Sequence, residues 1–307
     1  MKTLKSTLFL IVVMWQSLNV HCQINSQDFP VLRGSYLGQK PPGMTPEIFA
    51  PGIVSTEKAW EAAISFSPDG QELLFTRRED IQGSENRILS MVLKDGKWTA
   101  PKLAPFARDI TEYEAFISPD GTKVFYNSDR AKPQNGQAVG EIWYSEKTGS
   151  GWSEGNYLSE TINKGWVMFI TAARNNNLYF TAGYNQKFGV YKSEFVNGVY
   201  QEPILLPQEV NYNRGAHPFI APDESYLIFD AQPEGMGKSQ LYVSFKNDKG
   251  NWTKAVKFDE TINKTQTENI PNVSPDGKYF FFHRNNYSYW VDAKIIEGLR
   301  PAKSDNK

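Results

Sequence analysis

Short apolar stretches recur along the whole chain, and proline-aspartate turns separate them at regular intervals. The turns are Ser67-Pro-Asp-Gly70, Ser118-Pro-Asp-Gly121, Ala221-Pro-Asp-Glu224 and Ser274-Pro-Asp-Gly277. A fifth, degenerate copy is assigned to Thr171-Ala-Ala-Arg174, which places successive proline positions 51, 53, 50 and 53 residues apart. Because self-similarity at such a period is the signature of a repeat architecture, the chain is predicted to form one repeat domain.

Each copy predicts four short antiparallel strands. An apolar residue stands two positions before each proline position: Phe66, Ile117, Ile170, Ile220 and Val273. The strand after the turn carries an aromatic residue: Phe75, Tyr126, Phe180, Phe229 and Phe282. Pro-Asp-Gly between two such runs is typical of a hairpin turn, since proline presets φ and glycine accepts a positive φ. A third strand, a turn of glycine with an aromatic residue, and a fourth strand follow. This predicts an all-β fold, a β-propeller of four-stranded antiparallel blades.

The two ends of the chain predict how the ring closes. The last copy has three strands and lacks the fourth. The segment Thr45-Pro-Glu-Ile-Phe-Ala-Pro51 is similar to the fourth strands that begin at Ala100 and Glu202, so it is predicted to complete the last blade. The count is five blades; a sixth would have to come from residues 23–44, which are few and proline-rich. The predicted domains are an extension at 23–44, the propeller at 45–298 and a tail at 299–307.

The first 22 residues have the layout of a secretory signal peptide. Two lysines precede the apolar run from Leu8 to Trp15, which is too short to span a bilayer. Val20 and Cys22 occupy the −3 and −1 positions of a cleavage site before Gln23, which predicts a secreted or periplasmic product. Lipoprotein processing at Cys22 is the alternative, although His21 stands where a small residue belongs. With 33 basic and 34 acidic side chains and one cysteine, no global field attracts nucleic acid and no disulfide forms in the mature chain.

The Ser-Pro-Asp-Gly copies resemble the repeats of the TolB-like β-propellers, distant relatives of the WD-repeat proteins. The resemblance covers most of residues 45–295 and implies the propeller fold. It leaves function open, because this scaffold carries protein-docking modules, peptidase gating domains and sugar-processing enzymes. Among the latter, oligogalacturonate lyases and a related oligouronide dehydratase activity are the enzymatic precedents that the resemblance implies.

The predicted topology brings the starts of first strands and the ends of second strands to one face, around the central channel. The candidate residues from strand starts are Glu61, Glu112, Tyr113, Glu114, Trp166, Arg214, His217 and Glu268. Strand ends and the loops after them add Arg77, Arg78, Asp129, Arg130, Tyr184, Asp230, His283 and Arg284. Arginine binds carboxylate or sulfate in a bidentate manner, so the cluster indicates an anionic ligand. The competing interpretation is that these arginines pair with the neighbouring acids in a structural network.

The leading functional hypothesis is β-elimination on a uronic-acid-containing, sulfated oligosaccharide, by a dehydratase or an exo-lyase. His217 is the predicted base and His283 or Tyr113 the predicted acid; Arg214 and Arg284 are the predicted carboxylate clamp. The other predicted substrate contacts are Arg77, Arg78, Arg130, Trp166, Tyr184, Glu61, Glu112, Glu114 and Glu268. No cofactor is predicted, although imidazole and carboxylates would suit a divalent cation. The alternative is a non-catalytic propeller that binds glycan or an envelope protein.

Overall fold

The computed structural model describes residues 29–83, 85–131, 140–232 and 238–302. The chain divides into two compact units, Met1–Pro30 and Val31–Lys307, and every strand described below lies in the second. The predicted signal peptide of residues 1–22 lies outside the described residues, as do parts of the predicted extension and tail. No helix within the described ranges is long and apolar enough to cross a membrane.

The described residues form the predicted five-bladed β-propeller, with five main antiparallel sheets. After a 3-10 turn at Ser35–Gly38, strand β1 covers Glu47–Ile48. Blade 1 comprises β2 (Trp60–Phe66), β3 (Glu72–Arg78), β4 (Arg87–Lys94), β5 (Lys97–Trp98) and β6 (Lys102–Leu103). Blade 2 comprises β7 (Glu112–Ile117), β8 (Lys123–Ser128), β9 (Glu141–Thr148), β10 (Gly151–Trp152) and β11 (Asn156–Tyr157).

Blades 3 to 5 repeat the same order. Blade 3 comprises β12 (Trp166–Ala172), β13 (Leu178–Tyr184), β14 (Lys187–Ser193), β15 (Phe195–Val196), β16 (Val199–Tyr200) and β17 (Ile204–Leu205). Blade 4 comprises β18 (Ala216–Ile220), β19 (Tyr226–Ala231), β20 (Gln240–Phe245) and β21 (Val256–Lys257). Blade 5 comprises β22 (Asn269–Val273), β23 (Tyr279–Arg284) and β24 (Tyr287–Asp292), and helix α1 (Lys294–Glu297) follows it.

The N-terminal strand closes the ring, as predicted. β1 pairs with β24, with Glu47 opposite Trp290 and Ile48 opposite Tyr289, so it is the fourth strand of blade 5. Phe49, directly after β1, is fully buried and contacts the rings of Phe281 and Trp290. This pairing joins the two ends of the repeat and gives blade 5 its fourth, outermost strand.

The Ser-Pro-Asp-Gly motif builds the turn between the first and second strands. In blade 1 the Ser67 hydroxyl donates to Asp69, and the Asp69 carboxylate accepts the backbone N–H of Gln71 at 3.0 Å. Gly70 adopts a φ of 68°, which a residue with a Cβ reaches only with strain. The motif is therefore structural, as the sequence indicated.

The structure corrects the register of the third copy. The first residue of each turn donates its N–H to the start of the second strand, and in blade 3 this residue is Ala173, which bonds to Asn177 O. The N–H of Asn176 returns to Ala173 O, just as that of Gly70 returns to Ser67 O. Arg174, not Ala172, therefore stands at the proline position. The turn is one residue shorter than in blade 1, and this is why the sequence alone led to the wrong alignment of the third copy.

Every innermost strand contains a β-bulge at the same place. The pairing of first and second strands shifts register in all five blades. Five residues before each corrected proline position, one residue adopts a positive φ of 46° to 57°: Ala63, Glu114, Phe169, His217 and Ile270. A bulge re-aims the side chain that it carries. We call these five residues the bulge ring.

Side chains on the second strands hold the bulges across the blade boundaries. The hydroxyl of Thr76 accepts the N–H of Glu114 at 2.8 Å, and the hydroxyl of Thr181 accepts that of His217 at 2.8 Å. Between them, Asn127 Oδ1 accepts the N–H of Phe169 at 3.1 Å. In blades 2, 3 and 4 the backbone N–H of the bulge residue is thus satisfied by a side chain of the preceding blade.

Candidate active site

The bulge ring meets at the axis of the propeller. Ala63, Phe169 and Ile270, from blades 1, 3 and 5, belong to one apolar cluster. The Phe169 ring lies edge-on to the imidazole of His217, with centroids 5.2 Å apart. Blade 3 is not a neighbour of blade 1 or blade 5, and residues of non-neighbouring blades can meet only near the centre of the ring, so the cluster lies on the central axis. Glu114 and His217 are the two titratable members of the ring.

Glu114 and His217 face each other across the axis. Glu114 Oε1 lies 3.9 Å from His217 Nε2, although the two residues belong to blades 2 and 4. The Glu114 side chain is 6% exposed and that of His217 is 15% exposed. Glu114 Oε2 is buried and has no hydrogen-bond partner among the described residues. The pair is thus enclosed, and His217 is the more exposed of the two side chains.

Asp230 holds the imidazole from its other side. Asp230 Oδ1 lies 2.6 Å from His217 Nδ1, and Asp230 Oδ2 accepts a hydrogen bond of 2.6 Å from the Ser239 hydroxyl. A carboxylate on Nδ1 favours the proton on that nitrogen and leaves Nε2 for exchange with Glu114. Asp230 therefore positions His217, as the third group of a catalytic triad positions its base.

The pKa values of both groups are raised, that of Glu114 by burial and that of His217 by the carboxylates beside it. Desolvation raises the pKa of Glu114 to about 7, against the opposing effect of the His217 charge. The charge and hydrogen bond of Asp230 raise the pKa of His217 to about 8, because together with Glu114 they outweigh desolvation. With these pKa values the pair carries one proton between about pH 7 and pH 8.

His283 lies beside this pair in a different protonation state. Its Nδ1 lies 2.9 Å from Asn269 Oδ1, and because an amide oxygen only accepts, Nδ1 carries the hydrogen. Its Nε2 is buried without a hydrogen-bond partner among the described residues. Desolvation, with the charges of His217 and Arg78, lowers the pKa of His283 to about 3. His283 is therefore a neutral acceptor, and the prediction that it is the proton donor is wrong.

The two histidines should differ in a pH titration followed by NMR. We expect the His217 ring signals to shift around pH 8 and the His283 signals to stay constant between pH 5 and pH 9, since their pKa values lie near 8 and 3. H217N and H283N variants assign the signals. A His283 signal that titrates near the ordinary value of about 6.5 would contradict this environment.

Arg78 and Trp60 line the same part of the channel mouth. The Arg78 guanidinium carbon lies 5.0 Å from the centroid of the Trp60 ring, and the Trp60 and His283 rings are 5.0 Å apart. Arg78 Nε is buried and has no hydrogen-bond partner in the described part of the chain. Arg78 thus presents a cation beside Trp60 and close enough to His283 for its charge to help lower the pKa of that imidazole.

Tyr113 lies next to Glu114 in sequence and is half-buried. Burial and the charges of Glu114 and Asp129 raise the pKa of its phenol, so the hydroxyl stays protonated. Gly140 leaves room for that hydroxyl, because a Cβ at Gly140 would lie 2.9 Å from it. Tyr113 remains a candidate hydrogen-bond donor.

Three predicted binding arginines belong to the scaffold instead. Each lies at the end of a second strand or in the loop after it, and pairs with a fully buried glutamate of its own blade: Arg77–Glu61 at 3.1 Å, Arg130–Glu112 at 2.7 Å and Arg284–Glu268 at 2.9 Å. The Nη2 group of each arginine also donates to a carbonyl of the segment before the first strand, such as Phe106 O and Thr261 O. These ion pairs bear out the competing interpretation, in which the arginines pair with neighbouring acids, although each pair forms within one blade. Arg284 is therefore not part of the predicted carboxylate clamp.

Tyr184 has a similar structural position. Its side chain is 7% exposed and its hydroxyl donates to Ile162 O, which corresponds to the bond from Arg284 to Ile262 O in blade 5. Such a buried ring cannot stack on a sugar, so that prediction is wrong. Val167 and Gly215 stand in blades 3 and 4 where the other blades carry glutamate.

Trp166 and Arg214 form an exposed aromatic platform on the same face. Trp166 is 45% exposed and stacks on Phe188, with centroids 5.5 Å apart and 27° between the rings. The Arg214 guanidinium carbon lies 5.1 Å from the Phe188 centroid, on an exposed segment. An apolar ring face beside a cation suits an anionic sugar.

Sequence reasoning missed several residues of this site. Trp60, Asn269, Ser239 and Phe188 were not predicted, and Glu114 was predicted only as a substrate contact, together with Glu61, Glu112 and Glu268. The signal for Glu114 and His217 was present, since both stand five residues before a proline position. The spacing alone did not show that these two side chains meet, because that depends on the β-bulge that each residue occupies. No group of three or more His, Cys, Asp or Glu side chains is arranged to hold a metal ion in the described ranges.

Comparison with known proteins identifies the fold and no family. No family model and no curated protein matches the chain. Similar solved structures include TolB from Acinetobacter baumannii, with 13% identity over 75% of this chain and 53% of TolB and a TM-score of 0.44. A gluconolactonase from Xanthomonas campestris has 11% identity, 85% and 97% coverage and a TM-score of 0.48. The catalytic domain of a GH62 α-L-arabinofuranosidase from Coprinopsis cinerea has 8% identity, 83% and 99% coverage and a TM-score of 0.50. The chain thus spans about half the length of TolB, and at these identities the likeness shows the fold alone.

Proposed function

We propose that this protein is an enzyme that acts on an acidic oligosaccharide by β-elimination, with proton transfer by Glu114 and His217 in the channel mouth. The observation that carries the proposal is the buried pair with 3.9 Å between Glu114 Oε1 and His217 Nε2, held by Asp230. A buried pair with near-neutral pKa values in a cleft is characteristic of acid–base catalysis. The protein then functions wherever its predicted leader delivers it, outside the cytoplasm.

The pair supplies both proton transfers that the elimination needs. A base removes the C5 proton of a uronate, the electron pair forms the C4–C5 double bond, and the C4–O bond breaks as the leaving oxygen takes a proton. In the state with one proton, Asp230 favours the imidazolium form of His217, which donates to the leaving oxygen. Glu114, whose pKa is raised to about 7, accepts the C5 proton. His217 thus acts as the acid rather than as the base first predicted from the sequence.

Arg78 is the group best placed to neutralise the substrate carboxylate. Neutralisation acidifies the C5 proton and stabilises the charge that develops as it leaves. The unprotonated Nε2 of His283 can accept a hydrogen bond from a sugar hydroxyl nearby. The Trp166–Phe188–Arg214 platform would then bind the next sugar of the chain, which keeps Trp166 as a stacking residue and moves Arg214 from the predicted carboxylate clamp to this outer position.

The direct test is the ultraviolet absorbance of purified protein with a panel of uronic-acid oligosaccharides, sulfated ones included. We expect absorbance to rise with time, because elimination creates a conjugated unsaturated uronate. Product mass separates loss of water by a dehydratase from chain cleavage by an exo-lyase. D248N, on an exposed loop remote from the site in sequence, should behave as wild type.

A flat trace across the whole panel would refute the enzyme proposal. If calorimetry then still detected oligosaccharide binding, the protein would be a non-catalytic glycan-binding propeller. In that case the role of the Glu114–His217 pair would be structural.

A further inference from the structure

The opposite end of the channel has one position that breaks the symmetry of the propeller. There the turns between first and second strands surround the axis, and four carry proline: Pro68, Pro119, Pro222 and Pro275. The fifth carries Arg174. Its N–H, which a proline lacks, bonds to Pro222 O at 2.8 Å and joins the turns of blades 3 and 4.

These turns surround a cavity of about 130 Å³, which we call the turn-face cavity. Its walls combine aromatic side chains, Phe66, Phe116, Phe219 and Tyr226, with polar ones such as Ser65 and Asn272. The volume resembles the roughly 150 Å³ of an apolar cavity that accommodates benzene. The turn-face cavity therefore fits a ligand body the size of one six-membered ring.

Arg174 gives the turn-face cavity a positive charge. It is the charged residue among those that line the cavity in the described part of the chain, and no carboxylate lines it there. Arg174 is exposed, and no hydrogen bond or ion pair of its side chain is found within the described ranges. Arg174 also lines a neighbouring cavity, together with Asp223 and the paired Arg300 and Glu297, and its charge contributes to the lowered pKa of Asp223; those carboxylates do not line the turn-face cavity.

We infer that the turn-face cavity is a second binding site, for a compact monocarboxylate with a ring-sized apolar body. The ring would enter between the prolines and phenylalanines, and the guanidinium of Arg174 would bind the carboxylate in a bidentate manner. The site lies at the other end of the inner strands from Glu114 and His217, and it is independent of the proposed elimination.

Calorimetric titration with benzoate as the probe tests this site. We expect saturable binding to the wild-type protein, and at least about tenfold weaker binding to R174Q, since a charge-assisted contact is lost. Benzamide, which has the same shape without charge, should bind the wild type about as weakly as benzoate binds R174Q. R300Q is the matched control, because Arg300 lines the neighbouring cavity and is paired with Glu297.

Two results would overturn the inference. One is the absence of saturable benzoate binding to the wild type; the other is equal affinity for wild type and R174Q. Arg174 is exposed and its backbone contact survives in R174Q, so a folding defect is not expected; circular dichroism checks this. Because benzoate is no elimination substrate, failure here leaves the proposed function untouched, and the converse also holds.

Discussion

E114Q should lower the rate of elimination by about 10²- to 10⁴-fold, the usual contribution of a general base or acid. The amide keeps the size of the carboxylate and its position beside His217, but it cannot accept the C5 proton. H217N should cause a loss of similar size because it removes the proton donor. The double variant should lose little more than either single variant, since the two groups act as one unit. The measurement is the initial slope of ultraviolet absorbance at saturating substrate.

The pH profile provides a readout that a structural defect would not mimic. The pair carries one proton between pH values of about 7 and 8, so the rate should be bell-shaped with its maximum in that range. Below it Glu114 is protonated and cannot act as base; above it His217 has lost the proton that it donates. E72Q, which changes another largely buried glutamate at the turn end of β3, should keep the wild-type profile. An E114Q variant with more than a tenth of the wild-type rate would contradict the assignment.

E112Q should reduce the free energy of unfolding by about 3–5 kcal/mol, the usual cost of leaving a buried charge without its partner. Arg130 and Glu112 are 1% and 0% exposed, and the Arg130 guanidinium lies between that carboxylate and Phe106 O. The substitution leaves the guanidinium in the same low-dielectric environment without its counter-charge. Urea unfolding at pH 7, followed by tryptophan fluorescence, measures the loss.

A surface pair is the control for this prediction. Lys123 and Glu146 lie 3.2 Å apart with side chains 31% and 52% exposed, so E146Q should cost less than about 1 kcal/mol. The double variant E112L/R130M should recover much of the stability lost in E112Q, because no unpaired charge stays buried. Equal small losses in E112Q and E146Q would show that the buried pair does not stabilise the blade.

The repeat, the number of blades and the closing strand could be predicted from the sequence because they depend on local chemistry. Proline and glycine specify their turns wherever they stand, and apolar alternation specifies the strands between them. The same local reasoning failed in blade 3, where Arg174 replaces proline and the turn is one residue shorter. The register there is determined by the pairing of β12 with β13, which a degenerate turn does not reveal.

The role of each charged residue could not be predicted in this way. Arginines 77, 78, 130, 214 and 284 all fall on the predicted face, and the sequence treats them alike. The structure separates them. Arginines 77, 130 and 284 each pair with a buried glutamate of the same blade, while Arg78 and Arg214 lie on aromatic rings. A shift of one position along the strand is enough to change the role of an arginine, because Arg77 and Arg78 point to opposite sides of the same strand.

By itself, the sequence determined the all-β propeller, its five blades, their closure by β1, and the face on which titratable residues gather. Only the tertiary structure decided which of these residues meet. Glu114 and His217 come together because a bulge with positive φ turns each towards the axis, and because the ring brings blades 2 and 4 opposite each other. Such a contact depends on closure of all five blades, so no local pattern encodes it.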